Sequence, residues 1–127
     1  MRSALLALAL VATALAADPA PVVVKTAVAP ARATIGTPVR YTIEVTAEPG
    51  LDVIVAQPTE RIGDLDIIDF GVEPTRTVDG KTAILRWFSL VGWEPGDVEL
   101  PPPGVRWKRG EAEPEAVATS PTQVTIE

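Results

Sequence analysis

The sequence contains no cysteine and no histidine, and its single methionine is the first residue. Without cysteine there is no disulfide framework, so residues 17–127 must be held by an ordinary apolar core. Without histidine or cysteine no Ser-His or Cys-His nucleophilic system can be assembled. Zinc and copper sites built on imidazole, thiolate or thioether are excluded for the same reason once Met1 is removed. Aromatic residues are few: 3 Trp, 2 Phe and 1 Tyr. Positive charge is also short, with 11 Lys and Arg against 17 Asp and Glu, a formal net charge of −6. Such a chain lacks the basic face that phosphate requires, so nucleic acid and anionic lipid are not expected partners. The acidic balance serves solubility.

The N-terminal stretch is different in kind. Arg2 supplies a small positive region, Ala4 to Thr13 is a continuous small and apolar run, and Ala14-Leu15-Ala16 meets the small-x-small rule for signal peptidase. The run is shorter than the roughly 20 residues a membrane-spanning helix needs. The expectation is a signal peptide over residues 1–16, cleaved before Ala17, and a single domain over residues 17–127. Cleavage removes Arg2 and leaves 10 basic against 17 acidic residues. No later stretch is long and apolar enough to cross a bilayer, so the mature form is expected to be soluble. A cysteine-free exported domain points to a bacterial periplasm.

What the mature chain has in quantity is proline, 13 residues in all, spread from Pro19 to Pro121. Few windows between them could hold a long helix. Short β-branched and apolar runs alternate with Pro and Gly, the spacing of a β-sandwich. The strongest run is Val39 to Ala47. Val39, Tyr41, Ile43, Val45 and Ala47 share one face, and Arg40, Thr42, Glu44 and Thr46 the other, as a strand with one buried face requires. Further strands are expected at Pro21 to Val28, Leu51 to Ala56, Ile67 to Val72, Thr82 to Val91, Val98 to Leu100, Val105 to Lys108 and Thr122 to Ile126. Thr59 to Asp66 reads as a loop. Glu48-Pro49-Gly50 and Glu94-Pro95-Gly96-Asp97 suit type II turns, and Asp79-Gly80 suits a type I′ hairpin. Trp87 and Phe88 are adjacent and must face opposite sides, which leaves the phase of their strand open.

Candidates for chemistry are sparse. No carboxylate pair stands out for glycoside hydrolysis, and no glycine-rich phosphate cradle is present. Asp64, Asp66 and Asp69 form the tightest acidic cluster, but they lack the Asp-x-Asp-x-Asp-Gly spacing of a dedicated calcium loop. They are read as surface charges that guard a sheet edge. No cofactor and no metal is expected. Of Trp87, Trp93 and Trp107, at least two are expected in the core, with Trp93, beside a turn, the most exposed.

Three stretches together carry a resemblance: Ala33 to Val45; Leu65-Asp66-Ile67-Ile68-Asp69-Phe70-Gly71; and Trp93-Glu94-Pro95-Gly96-Asp97-Val98-Glu99-Leu100-Pro101-Pro102 followed by Val105-Arg106-Trp107. In this order they resemble the N-terminal immunoglobulin-like module of BatD-type oxygen-tolerance proteins of Gram-negative bacteria. The resemblance implies an all-β, immunoglobulin-like or fibronectin-like antiparallel sandwich and a periplasmic or secreted location. It also implies a non-enzymatic role in complex assembly or envelope stress, beside a MoxR-type ATPase and von Willebrand A-domain proteins. Family members usually carry a transmembrane helix after their β-domains, and this chain departs from that by showing none. The expected partner is another envelope protein, itself membrane-anchored, met through a surface that includes Trp93, Glu94, Asp97 and Trp107. The alternative is a carbohydrate- or peptidoglycan-binding sandwich in which Trp93 or Trp107 stacks on a sugar ring.

Overall fold

The computed structural model describes residues 20–127, so the signal peptide expected over residues 1–16 lies outside the described residues. Among the described residues the chain is all-β, with 58% of them in strands and no helix, in curled antiparallel sheets compatible with a β-sandwich.

The centre of the large sheet is β3 (Val39–Ala47), and its alternation is the one the sequence carries. Val39, Tyr41, Ile43, Val45 and Ala47 are each 2% exposed or less, while Arg40 and Glu44 face solvent. β1 (Val22–Ala29) pairs with it on one side and β8 (Lys81–Val91) on the other, both antiparallel. β8 then pairs with β6 (Leu65–Val72) and with β7 (Arg76–Val78), and β5 (Arg61–Ile62) closes the far edge against β6. Two smaller sheets complete the molecule. One is β4 (Asp52–Val55), β10 (Val105–Lys108) and β11 (Glu115–Ala116); the other is β2 (Arg32–Ala33), β12 (Thr122–Ile126) and β9 (Gly96–Leu100). β2 runs parallel to β12.

The inner faces of all three sheets meet in one apolar cluster. Tyr41, Phe88 and Leu90 come from the large sheet, Val55 and Val105 from the second, and Leu100, Val124 and Ile126 from the third. Each such side chain contributes roughly 1.5–3 kcal/mol by leaving water. The register between β3 and β8 sets Tyr41 opposite Phe88, with ring centroids 6.3 Å apart. Arg86, on the same face of β8, reaches across and donates from Nη1 to the Val55 carbonyl at 3.0 Å, tying the large sheet to β4.

Two of the three expected turns take the expected form. Gly50 has φ 85°, as the third position of a type II turn demands, and Asp79 and Gly80 have φ 51° and 78°, the pair of positive values of a type I′ hairpin. The third differs. The chain bends at Trp93 and Glu94, and Gly96, with φ 140°, already opens β9.

The placement of the indoles corrects the expectation that at least two fill the core. No tryptophan is among the buried residues; the core aromatics are Tyr41 and Phe88. Because Phe88 faces Tyr41 on the inside, Trp87 is turned to the outer face of the sheet, where the Arg40 guanidinium lies 4.0 Å from its ring centroid. Trp107 is on the inner side of β10 but near the strand's end, so it only partly covers the core. Thr59 to Asp66, expected as a loop, forms a tight hairpin. Ile62 pairs with Leu65 across Gly63-Asp64, and Gly63 has φ 61°.

Candidate functional site

The β5–β6 hairpin and the β8–β9 connection lie side by side at one end of the molecule and form a cleft of about 410 Å³. Its walls include Arg61, Asp64, Leu65, Trp93, Glu94 and Asp97. Glycine builds the connection. A Cβ at Gly92 would come within 2.8 Å of Ile126 Cγ1 and 3.0 Å of Leu65 Cδ2, so only glycine lets the chain leave β8 this close to the core. The next residue, Trp93, is thereby thrown outward and is 59% exposed.

Trp93 is exposed but tethered. Its Nε1–H donates to Asp66 Oδ2 at 2.9 Å. The other carboxylate oxygen, Oδ1, accepts from Arg61 Nε at 3.0 Å, and Arg61 Nη2 reaches the Asp64 carbonyl at 3.4 Å. The register that sets Arg61 opposite Asp66 makes this chain of contacts possible. Exposed ion pairs of this kind stabilise a fold by only about 0–1 kcal/mol. Their effect here is positional: they aim one indole. On the far side of the cleft Asp97 Oδ1 accepts from the Thr125 hydroxyl at 2.8 Å.

The structure therefore brings together Trp93, Glu94 and Asp97 and leaves out Trp107. That residue lines a separate hollow with the start of β1, beside the end of β3 marked by Ala47. Trp93 lies at the other end of the same strands, where the Gly36 amide donates to the Gly92 carbonyl. The nine residues of β3 separate the two ends by about 27 Å at the usual strand rise. Trp93 and Trp107 cannot contact one small ligand together.

The aspartate cluster is also divided. Asp66 serves Arg61 and Trp93, whereas Asp69 lies beyond a bulge in β6 and its Oδ1 accepts from the Phe70 amide at 2.9 Å. Among the described residues no group of three His, Cys, Asp or Glu is placed to hold a metal ion. Past Ile67, whose amide donates to the Glu60 carbonyl, no strand among the described residues pairs with the outer edge of β6, and Ile68, Phe70 and Val72 are exposed along it. The Asp69 carboxylate occupies one edge amide there, a charge set against uncontrolled strand pairing.

Sequence reasoning singled out Trp93 and missed its holders, Arg61 and Asp66. The available signal was Gly63-Asp64 between Ile62 and Leu65, a two-residue hairpin pattern that would have placed Arg61 opposite Asp66. No protein-family model, curated protein or solved structure matches the chain.

Proposed function

We propose that the chain is a non-catalytic protein-interaction module of the bacterial periplasm, with an immunoglobulin-like sandwich fold akin to the first module of BatD-type proteins. Its role is complex assembly or response to envelope stress. The observation that carries this reading is Trp93, a large apolar ring left in solvent yet held in one orientation by Asp66. Tryptophan is among the residues that dominate binding at protein interfaces, and a side chain fixed before contact has less entropy to lose on binding. The carboxylates around it favour binding over catalysis: Asp66 is engaged by Arg61 and Trp93, and Asp97 by Thr125. A surface centred there would bury about 800 Å² on each partner, or less for a transient contact.

One observation favours a second reading. An exposed indole flanked by Glu94 and Asp97 also suits a sugar ring, with the carboxylates accepting from hydroxyls. In-cell crosslinking from a photoreactive residue at Pro95, an exposed and uncharged position on the same cleft, separates the two, because the protein reading requires protein adducts from that position. Silence at Pro95, together with retention of the purified protein on a peptidoglycan column, establishes the carbohydrate reading instead.

A further inference from the structure

The charge around Trp93 is one-sided. Asp64, Glu94 and Asp97 line the cleft with Trp93, Asp66 accepts from the indole Nε1–H, and among the described residues Arg61 is the only cation on the cleft wall. That guanidinium is already engaged by the Asp66 carboxylate and the Asp64 carbonyl. Asp64, Glu94 and Asp97 form no ion pair among the described residues. An acidic ligand entering the cleft would strip water from the Asp64, Glu94 and Asp97 carboxylates, which no cation neutralises among the described residues, and this is costly. A cation would be favoured by those carboxylates and by the face of the indole, since a lysine or arginine head over a tryptophan ring is attracted by the ring quadrupole.

We propose that the Trp93 cleft recognises a lysine or arginine side chain carried on an exposed segment of the partner protein. The cationic head lies against the Trp93 face between Glu94 and Asp97, and the Asp66 bond to Nε1 keeps that face presented. The cleft volume of about 410 Å³ falls within the range of sites that enclose a small group. The inference rests on the protein-interaction reading and adds the chemistry of the partner. Complementary charge of this kind sets specificity and encounter rate and is screened by salt.

The test is a titration of the purified mature protein with a tri-lysine peptide, a tri-glutamate peptide and a neutral disaccharide, followed by the NMR signal of the Trp93 indole N–H. Tri-lysine should move that signal and the other two should not. The apparent affinity should fall about tenfold in Glu94→Lys, and by a similar factor when ionic strength rises from about 0.05 to about 0.5 M. Glu94→Lys should melt at the wild-type temperature, so the loss is not one of folding. If tri-lysine leaves the Trp93 signal unmoved, or tri-glutamate moves it equally, the cationic assignment is overturned. Protein adducts in cells from a photoreactive residue at Pro95, on the same cleft, would then still support a protein partner of other chemistry, whereas the absence of such adducts would remove the interaction reading itself.

Discussion

The Trp87 indole lies directly on Gly71 of the neighbouring strand: a Cβ added at Gly71 would stand 2.3 Å from Trp87 Nε1 and 2.4 Å from Cε2. Glycine is what lets the ring lie down on the outer face of the sheet, where Arg40 then covers it. Gly71→Ala should force the indole off the sheet and cost about 1–3 kcal/mol, the usual range for overpacking. Urea denaturation measures this. In a Trp87→Ala background the same substitution should cost much less, because the obstructing ring is gone.

Ile43 and Glu44 are adjacent on β3 and face opposite ways, one 2% exposed and the other in solvent. Ile43→Ala should cost about 2–5 kcal/mol by opening a cavity beside Tyr41 and Phe88. Glu44→Ala should stay within about 0.5 kcal/mol. Chemical denaturation of the two variants in parallel gives the comparison, and equal losses would contradict the assigned faces.

β3 was legible because a single strand with one buried face writes its burial into alternate residues, from Val39 to Ala47. Gly50 and the Asp79-Gly80 pair were legible because their turns demand positive φ. The orientation of β8 was not, since Trp87 and Phe88 are both large and only the register against Tyr41 decides which turns inward. β2, β5, β7 and β11 have two or three residues each, too few to show any period. At the candidate site, exposure of Trp93 followed from its place beside a turn. Its bond to Asp66 joins residues 27 apart in sequence and depends on the hairpin that carries Arg61.

Tyr41 offers a pH-dependent signature. Burial raises its pKa above the ordinary value of 10.0, and the nearby Thr122 and Thr26 hydroxyls offset this only in part. They hydrogen-bond to each other at 3.0 Å and leave the phenol oxygen without a bond of good geometry. A folded-state pKa above the unfolded one means that stability is complete below about pH 10 and declines as pH rises from there through the raised value. Tyr41→Phe should remove this alkaline decline and change stability at neutral pH by no more than about 1 kcal/mol, since it deletes a buried hydroxyl that makes no well-formed hydrogen bond among the described residues. Thermal melts between pH 7 and pH 11 make the comparison.

Asp66 meets Trp93 and Arg61 at the surface, where such pairs contribute little to stability. Asp66→Ala should lower stability by no more than about 1 kcal/mol, as expected for exposed pairs. It should also leave the Trp93 indole N–H unbonded, with faster solvent exchange by NMR. A collapse of stability in this variant would mean that the Arg61–Asp66–Trp93 chain is a structural brace and not a device for presenting the ring.

The claim that this end of the molecule meets another protein is tested most directly by photocrosslinking in living cells from Pro95, exposed on the Trp93 cleft, with Glu44 on the outer face of β3 as the reference position. A discrete protein adduct is expected from Pro95, absent from Glu44 and lost in Trp93→Ala while that variant still folds. Adducts of equal yield at both positions, or none at Pro95 from a protein that is folded in the cell, would contradict the claim.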